Sequence, residues 1–237
     1  METKQLYLYD SYQKNFEATI QQINNREIIL DQTAFHPLTG GVACDTGYLA
    51  ANGDKHSILQ VEINRENKEI THFTSDTTSW KIGDKIQGEI NWERRYRLMR
   101  LHTAAHLIAA LLYRDYKALI TGGQVNVDQA KLDFNLEKTE RQTFEDAIAK
   151  ANTEVRKETE LKVYFLERNE ALKTQGIVKL SERMPPNVKD LRIVEIPGID
   201  LQADGGPHIS NTREIGDISI VKVENKGKSQ RRVYFTV

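Results

Sequence analysis

The chain holds a single cysteine, Cys44, in 237 residues. One thiol closes no internal disulfide, and such scarcity suits a reducing compartment. Long hydrophobic runs are missing too. Hydrophobic residues make up 39% of the chain, yet none of their runs approaches the ~20 residues a membrane span needs. The opening stretch "METKQLYLYD" is polar and charged early, without the basic start and apolar core of a signal peptide. These absences predict a cytoplasmic protein with no membrane association. Charge of either sign is hardly in excess: 33 Lys and Arg oppose 34 Asp and Glu, a net charge of −1. No global field therefore draws in a polyanion. Internal repeats and low-complexity segments are absent as well.

What is present is a globular balance, with 28% charged residues and length enough for two domains. Up to about residue 90 the chain reads as β structure. "FEATIQQINNREIILDQ" alternates on either side of Asn24-Asn25, and later turns fall at Gly40-Gly41, Gly47 and Asn52-Gly53-Asp54. Short strands at close spacing suggest a small barrel. The character changes near Trp92. Leu98, Leu101, Ala105, Ile108 and Leu112 recur at helical spacing, and 137–160 carries Phe144, Ile148 and Val155 as a second helix. Between the two, "KALITGGQVNVDQAKLDFNL" alternates like a hairpin, and four strand-like runs follow the second helix. The expected fold is α+β: a small N-terminal β-barrel over 1–92, then an α/β domain over 93–237 with a mostly antiparallel sheet and two main helices.

Two locally basic runs stand out, "WERRYRLMR" (92–100) and "KGKSQRR" (226–232). Either alone is ordinary solvated surface. Flanking one site, Arg94, Arg95, Arg97, Arg100, Lys226, Lys228, Arg231 and Arg232 would form a footing for nucleic-acid phosphates.

His102 and His106 lie four residues apart in "LHTAAHLIAALLYRDY", about one helical turn, so both rings leave one face. Two buried rings satisfied by backbone carbonyls would explain that pair. The stretch "DLQADGGPHISNTREIG" (200–216) weighs against it. His208 follows a tight Gly205-Gly206-Pro207 turn, with Asp204 four residues earlier. Three histidines and a carboxylate suit a tetrahedral zinc ion. His36, His56 and His72 are scattered through the β half and read as surface or core residues.

"MRLHTAAHLIAALL" together with "GGPHISNTREIG" resembles the editing domain of alanyl-tRNA synthetase and its free-standing relatives, the AlaX alanyl-tRNA editing proteins. "ILDQTAFHPLTGGVACDTG" (29–47) and "VENKGKSQRRVYF" (223–235) resemble further stretches of the same family. The resemblance covers nearly the whole chain and, with no adenylation domain, points to the free-standing medium type. Three positions depart from the family pattern. Asp204 stands where a Cys is usual, Val42 where a Gln usually follows two glycines, and Ala105 where Thr often precedes the second His.

The resemblance implies a Zn2+-dependent deacylase in 93–237 that hydrolyses serine, and possible second error glycine, from mischarged tRNA(Ala). His102, His106, His208 and Asp204 would hold the metal. No side-chain nucleophile set is evident, so a zinc-bound or zinc-adjacent water is the expected attacker. Thr121 is implied as the group that reads the serine hydroxyl, with Gln124 as a second donor. Gly122 and Gly123 would let the terminal adenosine approach the backbone. Two other readings stay open: a metal-dependent hydrolase of another small ester or amide, and an inert tRNA-binding module that lost its metal with the Cys-to-Asp change.

Overall fold

The computed structural model describes residues 2–136, 140–174, 188–227 and 229–237. They form two compact units, Met1–Leu98 and Met99–Val237. The cut falls inside one long helix, a few residues beyond Trp92, where the character of the sequence changes.

In the first unit the strands are β1 (Lys4–Gln5), β2 (Asn15–Asn24), β3 (Glu27–Leu30), β4 (Gln32–Thr33), β5 (Gly47–Ala51), β6 (Asp54–Ile63), β7 (Ile70–Thr74) and β8 (Lys85–Ile90). β1 pairs with β4 in parallel. The other six close a barrel in the order β2-β3-β7-β6-β5-β8, with every pairing antiparallel. Alternation builds it: Phe16, Ala18 and Ile20 of β2 point inward, as do Ile86 and Ile90 of β8, onto Ile28, Leu49, Ile58 and Ile70. Gly88 is required on β8, because a Cβ there would lie 2.2 Å from the Phe16 ring. Asn25 turns the β2–β3 hairpin at φ 56°, and Asn52 and Gly53 turn β5 into β6 at φ 54° and 86°. These are positions where Asn and Gly are the least strained choices.

Helix α1 (Trp92–Tyr116) begins in this unit, and one of its first residues overturns an expectation. Arg95, placed by the sequence among phosphate-binding cations, is fully buried. Its Nε donates to both Asp45 carboxylate oxygens at 3.0 Å, its Nη2 also reaches Asp45, and Nη1 and Nη2 cap the carbonyls of Ser11 and Ala34 at 2.9 and 2.5 Å. A guanidinium enclosed in this way cannot meet RNA. It is a structural ion pair, whose loss would strand a buried charge.

The second unit contains the rest of α1, then β9 (Ile120–Val125), β10 (Ala130–Phe134), α2 (Arg141–Val155), β11 (Lys162–Glu167), α3 (Arg168–Lys173), β12 (Asp190–Ile196), β13 (Asp200–Ala203), β14 (Ser219–Asn225) and β15 (Arg231–Thr236). One antiparallel sheet has the order β14-β15-β10-β9, and a second runs β11-β12-β13. The expected hairpin is β9–β10. The second helix is shorter than its pattern suggested, ending at Val155 ahead of a turn with Glu158 at φ 53°; 137–139 lies outside the described residues. Phe134 and Phe144 meet at 6.3 Å between ring centroids in the core. The α+β class holds, with two main helices and the six-residue α3 among the described residues. Among the described residues no helix is long and apolar enough to cross a membrane.

His72 gives the barrel a pH liability. It is fully buried. Its Nδ1–H donates to the Ile28 carbonyl at 3.1 Å, so its Nε2 accepts from the Thr33 hydroxyl at 2.8 Å. Burial pushes its pKa down from 6.5 to about 4, the Ile28 bond opposing only in part. Between these values the unfolded chain binds the proton and the folded one does not, so stability falls as pH drops through that window. The parent should lose about 2–3 kcal/mol more than His72→Gln between pH 7 and 4.5 in urea titrations. Equal losses would show that His72 is not the group responsible.

Candidate metal centre

From Leu101 to Leu112 every residue of α1 is buried. A helix enclosed on all sides is expected to be apolar throughout, yet His102, Thr103 and His106 are buried in this stretch at 5, 0 and 7% exposure. Buried polar groups need partners, and here the partners come from the segment that follows β12.

β12 pairs with β13, placing Asp200 across from Ile196. After Ala203 the chain turns through Asp204-Gly205-Gly206-Pro207 to His208. The turn is held at three points. Gly206 N–H donates to Asp204 Oδ1 at 2.6 Å. The buried Arg192 guanidinium donates through Nη1 to the carbonyls of Asp204 and Gly206, both at 2.9 Å. At Gly206 itself the backbone lies so close to α1 that a Cβ would stand 2.6 Å from His102 Cε1. Further along, Arg100 of α1 donates to the Ile215 carbonyl at 3.1 and 2.7 Å through Nε and Nη2.

The result is a cluster of four side chains. One donor atom each from His102, His106, Asp204 and His208 lies within 4.8 Å of the other three. The rings are in mutual contact, with centroids 4.9 Å apart for His102–His106, 4.2 Å for His102–His208 and 4.7 Å for His106–His208. Each ring is oriented alike. The Nδ1 atoms face outward, to the Pro207 carbonyl at 3.4 Å for His102, to Asp200 Oδ2 at 3.0 Å for His106 and to Thr103 Oγ1 at 3.0 Å for His208. The Nε2 atoms face inward to the Asp204 carboxylate, at 3.7, 3.7 and 3.4 Å respectively.

Electrostatics prepare the donors. Burial pushes His102 down to about 4 and His208 well below its ordinary value, so both are neutral imidazoles at pH 7. Burial would raise Asp204, but the surrounding histidines hold its carboxyl well below the usual range. Burial would also lower His106; the carboxylates of Asp200 and Asp204 overcome this and raise it to about 9, so in the metal-free chain it carries a second ring proton, on Nε2, that a metal ion would displace. A three-imidazole, one-carboxylate set with its Nδ1 positions already occupied fits a divalent transition metal such as zinc.

The remaining expected site residues are placed otherwise. Thr121 and Gln124 are exposed on the edge strand β9, and among the described residues neither side chain hydrogen-bonds to the cluster. Ile120 pairs with Phe134 and Gly122 with Asp133, which makes Thr121 the extra residue of a β-bulge. A Cβ at Gly122 would lie 3.2 Å from Asp133 Oδ2, and one at Gly123 3.1 Å from Leu132 Cδ2. Arg94 is half-buried, with Nε on the Cys44 carbonyl at 2.9 Å. Arg231 is 8% exposed and donates to the carbonyls of Gly227 and Gln230. Arg232 forms a two-pronged pair with Asp133 at 2.5 and 2.7 Å. Lys226 is exposed and Arg97 half-buried; Lys228 lies outside the described residues. Sequence reasoning missed Thr103, Asp200, Gln202 and Arg192. The first adjoins His102 and the next two precede Asp204, so proximity to the motif was the available signal.

The close approach at Gly206 makes a sharp test. In Gly206→Ala the loop or His102 must move, and zinc affinity measured by competition with a chromophoric chelator should fall roughly tenfold or more. Parent-like affinity would show that the approach is not required.

Comparisons with known proteins identify relatives of this chain. A family model described as the threonyl and alanyl tRNA synthetase second additional domain matches residues 191–234, which include Asp204 and His208. One for class II (A) tRNA synthetases matches residues 2–94. The alanyl-tRNA editing protein AlaX-M of Saccharolobus solfataricus is 52% identical over 236 residues, 99% of either chain. AlaX-M of Methanosarcina barkeri is 38% identical over 240 residues, again 99% of either. Alanine–tRNA ligase of Saccharolobus islandicus is 34% identical over 226 residues, which are 94% of this chain and 25% of the ligase. With end-to-end similarity to editing proteins of its own length, the chain belongs to the AlaX-M family of alanyl-tRNA editing proteins.

Proposed function

We propose that the protein is a trans-editing deacylase, hydrolysing the ester that joins serine or glycine to the 3′ end of tRNA(Ala), with zinc held by His102, His106, His208 and Asp204. The observation that carries this reading is the convergence of three Nε2 atoms on the Asp204 carboxylate, in a chain of the alanyl-tRNA editing family. Zinc held there would supply a Lewis acid, which would acidify water or polarise the ester carbonyl. The protein's own part is to hold that centre. His102 and His208 present neutral Nε2 atoms, Asp204 an ionised carboxylate, and the buried walls of α1 keep bulk water from their flanks. No side chain is assigned as nucleophile; water attacks the ester. Such a second site is needed because a pocket built for alanine cannot exclude glycine and rejects an added hydroxyl poorly.

Thr121 reads the serine hydroxyl in this proposal, with Gln124 as a further donor and Gly122-Gly123 as the close backbone wall. Support comes from the bulge at Thr121, since bulges re-aim side chains near binding sites. For the tRNA phosphates the proposed contacts are Arg94 and Arg97 in the first unit and, in the second, Arg100 and Lys226, with Lys228 outside the described residues. Arg95 and Arg231 are left out because they are buried, and Arg232 because Asp133 offsets its charge.

Deacylation of tRNA(Ala) charged with serine, glycine or alanine is the direct assay. Serine and glycine should be released and alanine largely retained. Verified removal of the metal, or His102→Ala, should abolish release while the far-ultraviolet circular dichroism stays that of a folded chain. Undiminished turnover in metal-free protein would refute the metal's role. Turnover of simple esters in preference to charged tRNA would point to a general hydrolase.

Selectivity separates a proofreader from an esterase. Thr121→Val preserves shape and removes one hydrogen-bonding group, a loss on the order of 0.5–1.5 kcal/mol. Release of serine should slow by roughly three- to tenfold, release of glycine should change little, and discrimination against alanine should shrink. Equal slowing with both substrates would assign Thr121 to positioning instead.

A further inference from the structure

His106 differs from the other two histidines in what stands behind it. His102 leans on a carbonyl and His208 on a hydroxyl, both neutral, whereas His106 Nδ1 faces a carboxylate, Asp200 Oδ2, at 3.0 Å. The Asp200 side chain is 1% exposed. It is itself held, since Gln202 Nε2 lies 3.2 and 3.1 Å from its two oxygens. Both residues sit on β13, whose pairing with β12 sets Asp200 opposite Ile196 and Gln202 opposite Val194. The carboxylate is thus carried by the edge strand of this sheet, with its side chain buried and held by Gln202.

We propose that Asp200, supported by Gln202, is the positioning residue of the metal centre, fixing His106 with Nδ1–H outward and Nε2 inward and adding the negative charge that strengthens it as a donor. The proposal rests on the metal reading above. Its physical basis is general. A carboxylate behind a ligating imidazole fixes the tautomer, locks the ring plane and raises the basicity of the far nitrogen. The need follows from the donor set of this chain. Asp204 supplies a carboxylate oxygen, a weaker donor to zinc than a thiolate. A second buried carboxylate acting through His106 brings further negative charge to the centre without occupying a coordination position. Asp204 and Asp200 together match the two positive charges of a divalent ion.

The test measures metal binding on the full chain, independently of turnover. Zinc dissociation constants are determined by chelator competition for the parent, Asp200→Asn, Asp200→Ala and Gln202→Leu, with thermal melts of each metal-free protein. Asp200→Asn keeps size and one acceptor oxygen for His106 Nδ1–H, and removes the charge and the second acceptor. Both Asp200 variants should bind zinc about ten- to a hundredfold more weakly, with Asn the milder, and Gln202→Leu should weaken it by a smaller factor. The cobalt-substituted parent should show a visible ligand-field spectrum that broadens or shifts in Asp200→Ala, reporting a changed donor orientation. Parent-like zinc affinity in folded Asp200→Asn and Gln202→Leu would overturn the proposal. So would weakened binding that only tracks loss of folded metal-free protein, since that marks a purely structural residue. A parent chain that binds no zinc would overturn the metal reading first and this inference with it, a result distinct from the other two.

Discussion

The four-residue cluster depends on one close approach, that of the backbone at Gly206 to His102 of α1. Residues 102 and 208 are far apart in the chain, and only the turn from Asp204 to His208 brings them together. That turn must come nearer to the helix than any side chain at position 206 would permit. Arg192 keeps it there. Its guanidinium is buried and bonds two carbonyls of the same turn, and each hydrogen bond to a charged group contributes about 1.5–3 kcal/mol. A neutral residue at 192 would leave the turn anchored by the Asp204–Gly206 bond alone among these three contacts.

Burying three imidazoles and a carboxylate on a core helix would be prohibitive if each stood alone. The cluster avoids this by giving every ring an outer partner and every inner face a shared anion. The protonation states follow from that layout. His102 and His208, backed by neutral groups, stay neutral; His106, between two carboxylates, does not. The three histidines are therefore chemically unequal, although the motif makes them look alike.

That inequality marks the border of what can be read from the chain. The barrel was legible because inward and outward residues alternate and turns fall at Asn25, Asn52 and Gly53. The four clustered side chains were legible because helical spacing and a Gly-Gly-Pro turn are local features. The backing groups were not, because Asp200 reaches His106, and Arg192 reaches Asp204, through the β12–β13 register, which no periodicity announces. Charge runs proved the least informative. Arg94 and Arg95 are adjacent in one basic stretch, yet one is half-buried and the other is sealed against Asp45. The difference lies in which way a helix turns each residue, and in an aspartate fifty positions earlier.

The departure at position 204 acquires a structural meaning from the same geometry. A cysteine offers one sulfur. Asp204 offers two oxygens, and the structure uses them differently: Oδ1 accepts the Gly206 N–H and lies 3.4 Å from His208 Nε2, while Oδ2 faces the Nε2 atoms of His102 and His106 at 3.7 Å. One side chain thereby shapes the turn and supplies the anionic donor. A thiolate at this point would have to divide a single atom between the Gly206 amide and the three rings. The carboxylate is thus integral to how this turn is folded, and a second buried carboxylate, Asp200, stands behind His106.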